Sequence, residues 1–390
     1  MGRRKALLPG CGRVTTSPSV ARLVTVCVPQ NRRRLLFVEA ARRAGWDEPE
    51  VVPWRDLADE GIAISLPENA LVRVDAPGED VETARLLRGW DHDPDLHRVE
   101  GGADQHRGFV AALDRLSRLV TATPGARLLQ QVDDLIDMCD KRRCHLRLSR
   151  AGVPVPLALP GPITGYASLR DQMAEHRMAR VFVKPAHGSS ASGVIALAVA
   201  PGRVRAVTSV DLVRDEDGRI RLYNSLRLRT YSSPDEVAAV VDALAPDGLH
   251  VERWVPKADV DGRVVDLRVL VVAGRATHVV VRSSRSPLTN LHLGNARGDT
   301  RALREAIGEP AWRAMLGVAE DAAAVFGSTL HAGVDVLASP DWQRFAVGEV
   351  NAFGDLLPRI LHNGRDTYAE QLHALATGAF QPLSPTPVEH

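Results

Sequence analysis

Two apolar segments late in the chain each hold polar oxygen donors in a strand-like alternation: Ala332-Gly333-Val334-Asp335-Val336-Leu337 and Val347-Gly348-Glu349-Val350-Asn351. Such a pattern confines this region to paired strands with one buried face. Residues two apart on a strand share a face, so Glu349 and Asn351 point the same way. Asp335 belongs to the strand expected alongside. The three donors then converge on one spot. They suit magnesium, which takes one or two carboxylates with phosphates and waters completing an octahedron. A row of solvent-facing polar residues on an open sheet face is the other reading of the same alternation.

A second feature is the run Val181-Phe182-Val183-Lys184-Pro185-Ala186-His187-Gly188-Ser189-Ser190-Ala191-Ser192-Gly193-Val194. A β-rich stretch ends in a lysine, and small residues then lead into another apolar run. Small residues let backbone N–H groups close over phosphate oxygens, and the lysine adds a point charge. A glycine-rich hairpin without a ligand is the alternative. The Walker pattern is absent, because here the lysine precedes the glycines. The segment Val251-Glu252-Arg253-Trp254-Val255 can offer alternate C=O and N–H groups to a purine rim, or form an amphipathic edge strand. Arg268, and Arg282 in Val281-Arg282-Ser283-Ser284-Arg285, can serve a transferring phosphoryl group or form structural ion pairs.

The remainder of the chain frames these features. Its 390 residues exceed one ordinary core. Strands at 23–29, 50–53 and 70–75 alternate with helical periodicity such as that of 33–44, so a small parallel sheet is expected over 21–125. A long helix is expected at 126–150 and shorter ones at 166–178, 234–244, 301–307 and 310–326. Strands are expected at 251–255, 266–273, 276–283, 332–337 and 344–350. The leader 1–20 and the proline-containing tail 381–390 are expected to be disordered. The Asp/His-rich stretch Trp90–His97 reads as an exposed loop, and Arg73–Asp80 as a strand-end substrate site or a capped turn.

A formal net charge of +1 gives no global field toward nucleic acid or an acidic membrane. No apolar stretch reaches the ~20 residues of a membrane span. Cys11, Cys27, Cys139 and Cys144 form no Cys-x-x-Cys pair, so reduced thiols in a cytoplasmic protein are expected.

Taken in order, the motifs resemble the ATP-grasp superfamily, nearest its RimK-like branch, which includes the ribosomal-protein glutamate ligase. The likeness runs over residues 126–365. Lys141, ahead of Gly152-Val153-Pro154-Val155-Pro156, matches the first nucleotide lysine, and Lys184 the second. Gly188, Ser189, Ser190 and Gly193 match the phosphate loop, and Glu252, Arg253, Trp254 and Val255 the adenine hinge. Asp266-Leu267-Arg268 matches the branch's Asp-Ile-Arg, whose aspartate contacts ribose. Asn290-Leu291-His292 matches its Asn-Leu-His, and Asp335, Glu349 and Asn351 its metal triad. An extra stretch, 256–263, separates hinge from Asp266 and leaves Asp259 or Asp261 as other ribose partners. Ala352-Phe353-Gly354-Asp355 replaces the usual Ala-Ser-Pro-Gly near the acceptor.

The resemblance implies an α/β and α+β chain. A pre-ATP-grasp domain (21–125) precedes a small lobe with its linking helix (126–250) and a C-terminal lobe (251–380). It implies ATP and magnesium as cofactors, with two metal ions and manganese able to substitute. The activity implied is ligation of a carboxylate on a small molecule or peptide to an amine, through an acylphosphate, with Arg268 and Arg282 catalytic. A kinase, a carboxylate–thiol ligase and a nucleotide-binding regulator are the rivals, and a homodimer is compatible.

Overall fold

The computed structural model describes residues 21–188, 191–289, 295–354 and 357–383, so the leader, Ser189, Ser190 and Asn290 lie outside the described residues. The first sheet comprises β1 (Arg22–Cys27), β2 (Glu50–Pro53), β3 (Ala70–Val74) and β4 (Arg127–Leu128), all parallel in the order β2-β1-β3-β4. Parallel neighbours need crossovers. These contain α1 (Arg32–Arg43), α2 (Trp54–Ala58), α3 (Val81–Arg88) and α4 (Gly102–Ala122). Every residue of β3 is buried, as a parallel strand covered on both faces requires. The sequence reading left α4 out, although Phe109, Leu113, Leu116 and Val120 recur at helical spacing and are all buried.

The helix expected over 126–150 is interrupted. Its start becomes β4, and the rest divides into α5 (Val132–Met138) and α6 (Lys141–Arg150). Asp140 makes the break: its carboxylate accepts from the Arg142 and Arg143 N–H groups as an N-cap, which places Lys141 at the first position of α6.

After α7 (Tyr166–Glu175) comes an antiparallel sheet: β5 (Arg180–Pro185), β6 (Ile195–Ala200), β7 (Arg203–Arg214), β8 (Ile220–Tyr231) and, beyond α8 (Pro234–Leu244), β9 (Leu249–Arg253). Its order is β8-β7-β6-β5-β9. Val181, Val183, Leu197 and Val210 pack with Val240 and Leu244 of α8 in a core of their own.

The third sheet contains β10 (Asp259–Val260), β11 (Arg263–Val272), β12 (Arg275–Ser284), β13 (Ala296–Arg297), β14 (His331–Ala338) and β15 (Phe345–Asn351). They are ordered β13-β12-β11-β14-β15, with β10 added to β11. Helices α9 (Thr300–Ile307), α10 (Glu309–Ala324) and α11 (Thr367–Ala376) complete it. Val265, Leu267 and Val269 pack with Trp312 and Met315 of α10. Leu270 and Val272 join Phe37 of α1 with Tyr368 and Leu372 of α11. The first and third sheets therefore share core, while the second stands on its own, and a cleft opens between the second and third. Leu383 bridges to Leu128, so the tail expected to be loose from 381 is held as far as 383. Among the described residues no helix is long and apolar enough to cross a membrane.

Gly108 marks a close crossing of α3 and α4. A Cβ there would lie 1.9 Å from the Leu87 carbonyl oxygen of α3. On an isolated helix, alanine in place of glycine stabilises by about 1 kcal/mol. Overpacking reverses that sign here, and Gly108→Ala should destabilise by about 1–3 kcal/mol in urea unfolding. A midpoint equal to or above wild type would show that α3 and α4 do not meet this closely.

Candidate active site

The second sheet contributes its cleft face through strand alternation. In β5, Val181 and Val183 point into the core while Phe182 and Lys184 point to the cleft. The β5–β9 register sets Phe182 opposite Glu252 and Lys184 opposite His250. Lys184 Nζ lies 2.5 Å from Glu252 Oε1, and His250 Nε2 lies 3.2 Å from Glu252 Oε2. Lys141 enters from α6: its backbone N–H donates to Ala186 O (2.9 Å), and its Nζ donates to Gly188 O. The same Nζ is 3.1 Å from Glu349 Oε1.

The third sheet supplies the acids. In β11, β12, β14 and β15 one rung aligns Arg282, Asp266 and Leu337, and the next but one aligns Arg268, Asp335 and Glu349. Asp335 forms ion pairs with Arg268 (Nε to Oδ1, 2.5 Å) and Arg282 (Nη2 to Oδ2, 2.9 Å), and its Oδ2 accepts from Arg268 Nη2 at 3.5 Å. Arg282 Nε also reaches Asp266 Oδ1 at 2.6 Å. Asn351 follows on the face of Glu349, and its Nδ2 donates to Gly333 O at 3.2 Å, which leaves Oδ1 as an acceptor.

These contacts decide protonation. Burial raises the Glu252 carboxyl, but Lys184 and His250 outweigh it and bring it to about 2. Burial likewise opposes ionisation of Asp266, and Arg282 and Lys257 overcome it, again to about 2. Glu349 is held below its ordinary value because Lys141 and Lys184 outweigh burial. Burial would lower Lys184, yet Glu252 and Glu349 raise it. Glu252, Asp266 and Glu349 are thus anions and Lys184 a cation before any ligand arrives.

Most of the residues singled out from sequence meet here. Lys141, Lys184, Gly188, Glu252, Arg253, Val255, Asp266, Arg282, Asp335 and Glu349 all line one cleft. Others stand aside. Gly193, at φ +71, turns toward Pro185 and Val99. Trp254 rests on Phe182, with ring centroids 5.4 Å apart. Asp259 and Asp261 sit on the exposed β10–β11 turn, away from the cleft lining. The Glu252 carboxylate faces Lys184, so the hinge offers backbone groups. Arg253 and Trp254 donate to Leu157 O and Arg180 O, and Pro256 has no N–H, so within 253–256 the Val255 N–H is the donor that these contacts leave over.

Lys257 is not among the residues that the sequence motifs single out, yet it belongs to this site. It lines the cleft, with its Nζ 3.1 Å from Thr289 Oγ1 and 3.4 Å from Asp266 Oδ2. Burial lowers its pKa. Its place three residues after Trp254, beyond a proline, was the available signal. Phe182 and Leu337 were also missed as apolar walls.

No family model and no curated protein matches the sequence. Among solved structures, a D-cycloserine synthetase aligns with a TM-score of 0.56 at 18% identity, covering 92% of this chain and 100% of that one. The ATP-grasp ligase PsnB bound to its minimal precursor aligns at 0.49 and 15% identity, covering 92% of this chain and 99% of that one. A RimK domain protein ATP-grasp from Sphaerobacter thermophilus aligns at 0.46 and 16%, covering 92% and 100%. At such identities the likeness to the first concerns the fold.

Breaking one partner of a buried ion pair strands the other charge. Lys184→Met should therefore destabilise the ligand-free protein by about 3–5 kcal/mol, and adding Glu252→Gln should restore most of that in urea unfolding. Glu252 has its pKa depressed from 4.5 to about 2. Its contribution is thus fully present above pH 4.5 and is lost as pH falls toward about 2. The urea midpoint of Glu252→Gln should fall less steeply than that of wild type across this window, and parallel curves would contradict the pairing.

Proposed function

We propose, on the premise that the chain has the ATP-grasp fold, that it is a magnesium- and ATP-dependent ligase joining a carboxylate to an amine. The observation that carries this reading is the meeting of Lys141 and Lys184 with Asp335 and Glu349 across one cleft, where Lys141 Nζ lies 3.1 Å from Glu349. Carboxylates from Asp335 and Glu349, with Asn351 Oδ1, form an all-oxygen donor set on adjoining strands, which fits a hard divalent cation. Lys141 and Lys184 hold phosphate oxygens as point charges, together with backbone N–H groups of the loop from Gly188. The Val255 N–H meets the purine between Phe182 and Leu337.

Bound Mg·ATP supplies the transferable phosphoryl group and the metal charge that stabilises it in flight. Phosphorylation makes the substrate carboxylate an acylphosphate. The amine then attacks its carbonyl carbon and inorganic phosphate leaves. Arg282, held by Asp266 and Asp335, lines the cleft where acyl oxygens would gain charge, and Arg268 pairs with Asp335 beside it. An amino acid or peptide is the substrate class this reading favours.

Glu349→Ala, assayed at a temperature where circular dichroism shows it folded, should lose magnesium-dependent ATP turnover by roughly 100-fold or more, since metal-held charge supplies several kcal/mol. Unchanged turnover would sink the metal assignment. The double variant Lys184→Met/Glu252→Gln removes the lysine without stranding Glu252. It should bind Mg·ATP roughly 10- to 100-fold more weakly, and equal affinity in calorimetry would remove Lys184 from the phosphate site. With an 18O-labelled carboxylate substrate, the label should appear in phosphate alongside ADP. AMP and pyrophosphate would exclude the mechanism, and a phosphorylated end product would favour a kinase.

A further inference from the structure

His106 and His187 lie outside the residues assigned so far, yet their rings stack with centroids 3.9 Å apart at 16°. His106 belongs to α4 of the first unit. His187 stands at the mouth of the phosphate loop. Two neighbouring carbonyls, Ala186 O and Gly188 O, hold Lys141: one accepts its backbone N–H and the other its Nζ. His187 is the residue between them, and its side chain is 9% exposed. Any turn of residue 187 moves both anchors of Lys141.

The first unit grips the second sheet at several further points nearby. Asp247, just after α8, accepts from the N–H groups of Gly101 and Ala103 at the start of α4 (2.7 and 3.1 Å). Val99 N–H donates to Leu222 O and Asn224 N–H to His97 O, so residues 97–99 run along the edge of β8. Val99 also packs into the separate core of the second sheet and lies against Gly193 at the loop's far end. His106 is therefore presented from a helix whose start is fixed to the lobe that carries the loop.

A metal site is the rival use of this cluster, because His106, Asp140 and His187 bring ligand atoms within 4.8 Å of one another. The geometry opposes it. A metal ion lies in the plane of each imidazole that binds it, and stacked parallel rings cannot share one without turning. Asp140 is also engaged by Arg142 Nη2 at 2.8 Å and caps α6. Burial keeps both imidazoles neutral, with His106 brought to about 4, and neutral rings stack without the repulsion of two cations.

We propose that His106 is a positioning residue: by stacking on His187 it fixes the peptide segment that holds Lys141, and so sets the nucleotide affinity of the cleft from the first unit. The role of Lys141 rests on the nucleotide reading above, whereas the stack and its hold on the Lys141 backbone do not. Two variants in the full-length chain test it. His106→Ala removes the ring, and His106→Phe keeps the stacking surface without nitrogens. In the absence of nucleotide, the Lys141 amide should exchange with deuterium faster in His106→Ala and at the wild-type rate in His106→Phe. Mg·ATP should bind roughly 2- to 10-fold more weakly to His106→Ala, the loss of one aromatic pair, and normally to His106→Phe, with turnover at saturating ATP unchanged. An unaltered Lys141 amide in His106→Ala overturns the proposal even if wild type binds no nucleotide, a result that sinks the nucleotide reading alone. A His106→Phe variant as impaired as His106→Ala also overturns it, by showing that the ring nitrogens are needed for a metal or a proton.

Discussion

Carboxylates set into apolar strands must be neutralised, and the cleft is organised around that need. Five cations, Lys141, Lys184, Lys257, Arg268 and Arg282, face four carboxylates, Glu252, Asp266, Asp335 and Glu349. Each acid has a partner within salt-bridge distance, so none is stranded in low dielectric. The surplus of one positive charge suits a polyanion accompanied by a divalent cation. Side chains locked in this way are already oriented, which lowers the ordering cost of binding. The same lattice explains why the arginines cannot be assigned by position alone: Arg282 spans Asp266 and Asp335 at once.

The division of the hydrophobic core gives this lattice its setting. The first and third sheets pack into a common body, whereas the second sheet closes on α7 and α8. Separate cores joined through a polar cleft allow the lobes to shift relative to each other at small cost in apolar burial. Contacts that cross between them therefore carry weight out of proportion to their number. Lys141 on Glu349 is one such crossing, and the Lys184 Nζ contact with Gly348 O at 3.4 Å is another. The strap 97–103 ties the first unit to the second sheet directly, so the N-terminal unit is joined to both sides of the cleft.

Local patterns in the sequence determined a great deal. Alternation has a period of two, so it placed Glu349 beside Asn351 on one face before any pairing was known. The order of motifs placed both lysines, the hinge and the acidic strands in one fold, and the structure gathers Lys141, Lys184, Asp335 and Glu349 in one cleft. The break at Asp140 was legible in principle as an N-cap followed by Lys141, but continuous helical propensity on both sides concealed it.

Only the tertiary structure decided which charges meet. That Glu252 turns to Lys184, that Asp266 binds Arg282 and Lys257 together, and that Arg268 embraces Asp335 all follow from strand register and from the seating of one sheet over another. The meeting of His106 with His187 follows from a helix crossing between units. Sequence spacing encodes which face of its own strand or helix a residue occupies. It does not encode the partner, because partners are brought together by long-range packing, in which a single-residue slip of register exchanges every neighbour.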